Sequence, residues 1–365
     1  MNIDHVHFYV EDASRWQHWF RQKFGFQCIA IQQTEHTLTA DVGHAAIRFR
    51  VSSPRSEDSL VAAYLRRHPA GIADLAFQVA DLEGVLEQAT RAGASILQPI
   101  QSAQIDRRDY RTACIQGWGS LQHTLIQQSL SSPVNPPVKP PLDGEPDANL
   151  VGIDHVVLNV EQGDLERAIR WYETIFGLQR RQNFAIQTER SGLCSQVLDH
   201  PEGLVQFPIN EPASAGSQIQ EFLDYNGGPG IQHLALRTNH ILPLMARLRQ
   251  QGISFLSVPT TYYEQLRCRP GFQISEREWQ SIAQAEVLVD WQPNHPEALL
   301  LQAFTQPIFD QPTFFFELIE RRPYRSGLSC QNNQQLQLAT GFGEGNFRAL
   351  FEAIEREQIK RGHLL

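Results

Sequence analysis

Two histidines and one glutamate stand where polar groups are costly. Glu317 interrupts the run Thr313-Phe314-Phe315-Phe316-Glu317-Leu318-Ile319, which is introduced by Pro312 and reads as a buried, aromatic β-strand. A bare carboxylate there costs several kcal/mol, comparable with the whole margin of folding stability. It must be neutralised, paired with a base or bound to a metal. His155 sits in the apolar run 153–160 and His233 in the run 231–236. With a period of two, His155 shares a face with Ile153 and Val157, His233 with Ile231 and Ala235, and Glu317 with Phe315 and Ile319. If these faces line one cavity, the three residues form a two-histidine, one-carboxylate set. Such a set leaves positions open on an octahedral metal and suits Fe(II) that must hold a substrate and O2 together.

Taken singly, each residue has a plainer explanation. A strand histidine is more often a hydrogen-bonded core residue, and a strand glutamate is more often salt-bridged. What favours a metal is where they fall in a duplicated chain. Ile3-Asp4-His5-Val6 recurs as Ile153-Asp154-His155-Val156. Each copy precedes a helical pattern ending in Phe-Gly: Trp16, Trp19, Phe20 and Phe24-Gly25, then Leu165, Ile169, Tyr172 and Phe176-Gly177. Gly71-Ile72-Ala73-Asp74-Leu75-Ala76 recurs as Gly230-Ile231-Gln232-His233-Leu234-Ala235, and each leads into a helix. Leu125-Ile126-Gln127 matches Leu318-Ile319-Glu320. Four βαβββ-like units, two per half, predict an α+β fold of curved sheets or half-open barrels around a central cavity.

In the first half the three ligand positions hold His5, Asp74 and Thr124, with His123 adjacent. A hydroxyl substitutes poorly for a glutamate, so this half reads as a degenerate copy without catalytic metal. A second, weaker site on His5 and Asp74 is the alternative. The expected domains are 1–128 and 151–365, joined over 129–150 by a segment containing Pro133, Pro136, Pro137, Pro140, Pro141 and Pro146, which favours an extended spacer.

Bulk composition excludes several classes. A formal net charge of -9 without a long basic run argues against a nucleic-acid surface. No apolar stretch is long enough to span a bilayer, and Met1-Asn2-Ile3-Asp4-His5 lacks a signal core. Cys28, Cys114, Cys194, Cys268 and Cys330 are scattered and never form a Cys-x-x-Cys pair, which predicts reduced thiols in a cytoplasmic protein.

From about residue 150 to about residue 360 the chain resembles the 4-hydroxyphenylpyruvate dioxygenase family of the vicinal-oxygen-chelate superfamily. The segments that carry the resemblance include Gly152 to Val160, Pro208-Ile209-Asn210-Glu211-Pro212, Ser217-Gln218-Ile219-Gln220, Gly230 to Ala235 and Pro259-Thr260-Thr261-Tyr262-Tyr263. Leu301-Gln302-Ala303-Phe304-Thr305, Pro312 to Arg321 and Gly341-Phe342-Gly343-Glu344-Gly345-Asn346-Phe347 follow in order. The first half matches in architecture more than in motif. By this resemblance His155, His233 and Glu317 bind one iron per chain. Ser195, Asn210 and Gln218 become polar groups around the substrate, as do Gln232 and Gln302 beside the ligand strands. Phe304, Phe315, Phe342 and Phe347 become aromatic walls, whereas Phe314 and Phe316 belong to the core. A terminal helix over 346–360, with Leu350, Ile354 and Glu357 at helical spacing, is expected to cover the cavity mouth. Gly341, Gly343 and Gly345 make the loop before it permissive.

The implied reaction takes an aromatic 2-oxo acid and O2 to homogentisate and CO2, with no second organic cofactor and a homodimeric or homotetrameric enzyme. The nearest rival is 4-hydroxymandelate synthesis on the same fold, against which Pro208, Asn210 and Phe347 weigh. An extradiol ring-cleaving dioxygenase fits the Gly341–Phe347 loop poorly. A non-catalytic binding protein does not explain the retention of all three ligands.

Overall fold

The computed structural model describes residues 1–105, 108–128, 150–188, 190–201, 206–325 and 336–362. The proline-rich segment expected as a linker lies outside them up to residue 149, as does Cys330. The first half contains β1 (Asn2–Tyr9), α1 (Ala13–Phe24), β2 (Gln27–Gln33), β3 (Thr37–His44), β4 (Ile47–Pro54), α2 (Leu60–Leu65), β5 (Gly71–Gln78), α3 (Leu82–Arg91), β6 (Ile96–Ile105), β7 (Arg108–Gln116) and β8 (Gln122–Gln128). The second contains β9 (Leu150–Asn159), α4 (Leu165–Phe176), β10 (Gln179–Gln187), β11 (Gly192–Asp199), β12 (Gln206–Pro212), α5 (Gln218–Asn226), β13 (Gly230–Thr238) and α6 (Ile241–Gln250). It continues with α7 (Thr260–Arg267), α8 (Glu276–Gln284), β14 (Leu288–Gln292), β15 (His295–Phe304), β16 (Phe315–Arg321), β17 (Pro323–Arg325), β18 (Leu336–Leu338) and α9 (Glu344–Arg361).

Each half builds one eight-stranded sheet. The orders are β2-β3-β4-β1-β5-β8-β7-β6 and β10-β11-β12-β9-β13-β16-β15-β14, so every strand has its counterpart eight places later. This is the expected α+β architecture of paired βαβββ units. The helices after β1 and β9 end alike for a local reason. Gly25 and Gly177 both hold left-handed backbone, at φ 74° and 66°, and their N–H groups donate to carbonyls of the last turn. A side chain at either position would be strained, which is why both helical patterns stop at Phe-Gly.

The described residues gather into two compact units that cut across the two sheets. One includes the first sheet, the stretch Ile153–Leu234 and the short segment Pro307–Phe314; the other includes Ala235–Gln306 and Phe315–Leu365. In the first unit Phe8 packs against Phe20 and Phe49 at ring-centroid distances of 5.7 and 5.3 Å. Phe314 approaches Phe8 at 5.4 Å and Phe309 approaches Trp16 at 4.6 Å, so the segment before β16 joins this aromatic core. In the same unit His123 is fully buried among Phe77, Tyr172 and Phe176, and its Nε2 lies 3.0 Å from the Tyr172 hydroxyl. In the second unit β15 pairs with β16 antiparallel, with Phe304 opposite Glu317 and Gln302 opposite Ile319. These four side chains therefore share a face with Phe315.

Candidate metal centre

β9, β13 and β16 are consecutive neighbours in the second sheet, and each contributes one buried polar residue. His155, His233 and Glu317 are 2%, 2% and 1% exposed, and one ligand atom from each lies within 4.8 Å of the others. The imidazole centroids are 5.7 Å apart with the rings nearly perpendicular at 78°. Among the described residues this is the group able to hold a metal ion.

Each ligand is oriented by a neighbour. His155 Nδ1 donates to Asp154 Oδ1 at 3.0 Å, and His233 Nδ1 donates to Gln232 Oε1 at 3.3 Å. A histidine that donates from Nδ1 keeps Nε2 as its lone-pair nitrogen, the form a metal takes. Gln302 Nε2 donates to Glu317 Oε1 at 2.8 Å and so fixes the carboxylate plane. Two neutral imidazoles and one carboxylate form a donor set that fits a divalent first-row metal with open positions.

The remaining expected residues fall into two groups. Ser195 on β11 stands directly opposite Asn210 on β12, and Asn210 pairs in turn with Asn159 on β9. Asn159 has the parity of His155, so all three share the face of that histidine. Asn210 Nδ2 donates to Asn159 Oδ1 at 3.3 Å. Ser195 Oγ, Asn210 Oδ1, Asn159 Nδ2 and Gln218 Oε1 are buried and have no hydrogen-bond partner among the described residues. Each such atom costs about 1–3 kcal/mol in desolvation, and a polar ligand on this face would offset that cost. Gln218 is the first residue of α5, behind its cap Ser217.

The aromatic group gathers around α9. Phe304 and Phe315 meet edge to face at 6.3 Å and pack with Leu256, Leu288, Leu350 and Phe347. A shallow, mostly apolar cleft lies beside them, lined in part by Leu256, Val258, Leu288, Phe304, Leu350 and Ala353. Phe342 is half-buried in the loop before α9, and its carbonyl oxygen lies 3.4 Å from Gln302 Nε2. Phe314 and Phe316 are buried, at 1% and 0% exposure.

The first half keeps part of the pattern. His5 Nδ1 donates to Asp4 Oδ1 at 2.8 Å, as His155 does to Asp154. Asp74 accepts from both Thr124 N (2.8 Å) and Thr124 Oγ1 (2.7 Å), so the residues in the places of His233 and Glu317 bond to each other. Burial raises the pKa of Asp74 and pushes that of His7 well down.

Sequence reasoning missed Asp154, which bonds to His155, and Asn159, which bonds to Asn210. Asn159 carried a readable signal, a polar residue at the parity of His155 in an apolar strand. Asp154 carried only its place in the repeated Ile-Asp-His-Val string, because alternation puts it on the opposite face from the ring it holds.

Comparison with known proteins places this architecture. Residues 2–115 and 152–268 match the family described as Glyoxalase/Bleomycin resistance protein/Dioxygenase superfamily. A 4-hydroxyphenylpyruvate dioxygenase of Coccidioides posadasii is 34% identical, over 99% of this chain and 94% of its own length. The chain belongs to the 4-hydroxyphenylpyruvate dioxygenase family. An uncharacterized protein of Synechocystis is also 34% identical, over 97% of both chains. A triple mutant of 4-hydroxymandelate synthase from Streptomyces coelicolor superposes with a TM-score of 0.81 at 26% identity, covering 98% of each chain. The chain is thus an oxidoreductase of this dioxygenase family, acting on a small molecule and O2. Family membership implies a non-haem metal, and the buried His-His-Glu group has the donors for one.

Proposed function

We propose that the protein is an Fe(II)-dependent dioxygenase that converts 4-hydroxyphenylpyruvate and O2 to homogentisate and CO2. The observation that carries this reading is the convergence of His155, His233 and Glu317 within 4.8 Å on a buried face. The same face holds the unpartnered polar atoms of Ser195 and Asn210.

In this reading His155, His233 and Glu317 hold one Fe(II). Fe(II) held by these three residues would supply the site where the oxo acid and O2 meet, and the oxo acid itself would supply the electrons as it loses CO2. Asp154 and Gln232 hold the two imidazoles in their metal-binding tautomer. Ser195, Asn210 and Gln218 receive the phenol end, which gives their buried polar atoms a partner. Gln232 and Gln302 steer the oxo-acid end. Phe304, Phe315, Phe342 and Phe347 exclude water during ring hydroxylation and side-chain migration. The family resemblance extends the proposal to a cytoplasmic homodimer or homotetramer.

A second reading, 4-hydroxymandelate synthesis, is favoured by the structural likeness at TM-score 0.81. It uses the same substrate and metal, so only the product separates the two. Product analysis by NMR and mass spectrometry after turnover of 4-hydroxyphenylpyruvate is expected to give homogentisate. 4-Hydroxymandelate would replace the first reading with the second.

A further inference from the structure

A continuous hydrogen-bonded chain runs from Glu317 to the first turn of α9 and on to α7. Gln302 Nε2 donates to Glu317 Oε1 at 2.8 Å. Asn346 Nδ2, on the first turn of α9, donates to Gln302 Oε1 at 2.7 Å. The Tyr262 hydroxyl donates to Asn346 Oδ1 at 2.9 Å and lies 3.1 Å from Val289 O, while Val289 N–H donates to the same hydroxyl at 2.9 Å.

The direction of this chain follows from chemistry. Gln302 Nε2 faces two acceptors, Glu317 Oε1 and the Phe342 carbonyl, so it must be the amide nitrogen. Asn346 Nδ2 faces Gln302 Oε1 and the Leu300 carbonyl, so its orientation is fixed as well. Burial pushes the Tyr262 pKa up, which keeps its proton available for donation. Asn346 is fully buried, and Gln302 is 3% exposed. Water therefore does not compete for these bonds, and each member limits the orientation of the next.

The backbone around the chain is built for it. Gly343 holds left-handed backbone at φ +65°, and a Cβ there would stand 2.5 Å from Gln302 Oε1 and 3.3 Å from Asn346 Nδ2. Gly345 N–H donates to Asp290 Oδ2 at 3.2 Å, while Arg269 pairs with the same carboxylate. Arg321 donates to the Gly341 carbonyl at 2.8 Å. The helix start is thus pinned to the strand that carries Glu317 and to its neighbours.

We propose that Gln302, Asn346 and Tyr262 are a positioning relay that couples the docking of α9 to the orientation of Glu317. This rests on the reading of Glu317 as a metal ligand. With α9 docked, Gln302 is held by Asn346 and presents its amide to Glu317. With α9 displaced, Asn346 leaves with it, and Gln302 loses the donor to its Oε1, one of the bonds that hold its orientation. Linkage then requires the converse: a metal that prefers the held carboxylate stabilises the docked helix by the same factor.

Hydrogen exchange across residues 344–361, with and without Fe(II) under anaerobic conditions, tests the coupling alongside Fe(II) affinity from calorimetry. In the native protein Fe(II) is expected to slow exchange in this helix about fivefold or more. Asn346→Ala and Tyr262→Phe are each expected to lower Fe(II) affinity and to shrink the metal-dependent slowing in parallel. Tyr262→Phe removes a single oxygen and keeps the ring packing, so it reports even if Asn346→Ala releases the helix outright. Native Fe(II) affinity and native metal-dependent slowing in both variants would overturn the relay while leaving the metal site intact. Absence of Fe(II) binding in the native protein would overturn the functional reading, and the relay with it.

Discussion

Glu317 shows how one side chain can be costly to the fold and useful to the site. Its carboxylate is buried, and among its neighbours the neutral amide of Gln302 donates to it. We expect Glu317→Gln to leave the metal-free protein at least as stable, since it removes a buried charge. The same change should abolish stabilisation by Fe(II), which for the native protein amounts to about 2.7 kcal/mol at a hundredfold excess over Kd. Thermal unfolding with and without Fe(II) measures both effects, and a native-sized shift in the variant would contradict the ligand assignment. The neighbours of Glu317 divide by parity. Phe316 is fully buried, so Phe316→Ala should cost about 3–5 kcal/mol in chemical unfolding. Phe315 shares the face of Glu317 and packs beside α9, so Phe315→Leu should act mainly on turnover. The glutamate was legible because its type contradicts its strand. Tyr262 and Asn346 were not, because their bond joins residues 84 apart in sequence, and neither looks unusual where it stands.

At the scale of elements, strand parity was enough to put His155, His233, Glu317 and Phe315 on site faces. Gln302, Phe304, Ser195 and Asn210 were expected from the family resemblance alone, and cross-strand register puts Gln302 and Phe304 opposite Ile319 and Glu317, and Ser195 opposite Asn210. The terminal helix was expected over 346–360 and spans Glu344–Arg361. Its early start has a local reason: Gly343 in left-handed backbone caps it, and Asp290 accepts from Gly345 N–H. α7 and α8 were not foreseen as separate elements, since they sit outside the repeat and pack through Tyr262, Tyr263 and Trp279. Gly343→Ala tests how tightly this loop is built. Left-handed strain of about 1–2 kcal/mol adds to the close approach of Gln302 Oε1. Faster hydrogen exchange in α9 is the expected result, and unchanged exchange would contradict it.

For the molecule as a whole, duplication is the organising fact, and it was readable from short repeated strings because they fall at equivalent strands of two sheets with one order. The compact units were not readable, because the first joins Ile153–Leu234 and Pro307–Phe314 to the first sheet through packing, such as that of His123 on Tyr172 and of Phe314 on Phe8, which the repeat does not encode. His123 ties the two chain halves together within one unit, and burial lowers its pKa from 6.5 to about 4. An unfolded chain binds that proton more readily than the folded one over this interval. The stability from a neutral His123 is therefore complete above pH 6.5 and is lost as pH falls toward 4, by up to about 3 kcal/mol. His123→Gln should flatten this part of the stability profile in denaturant titrations from pH 4 to 7, and an unchanged slope would assign the acid sensitivity elsewhere.

We propose that His155, His233 and Glu317 hold an iron that couples O2 to an aromatic 2-oxo acid. Oxygen uptake by the anaerobically Fe(II)-loaded protein on addition of 4-hydroxyphenylpyruvate tests it most directly. One O2 consumed per CO2 released, with His233→Ala inactive and unable to retain iron, is the predicted result. No uptake by protein that holds one Fe(II) per chain, or full uptake by His233→Ala, would contradict it.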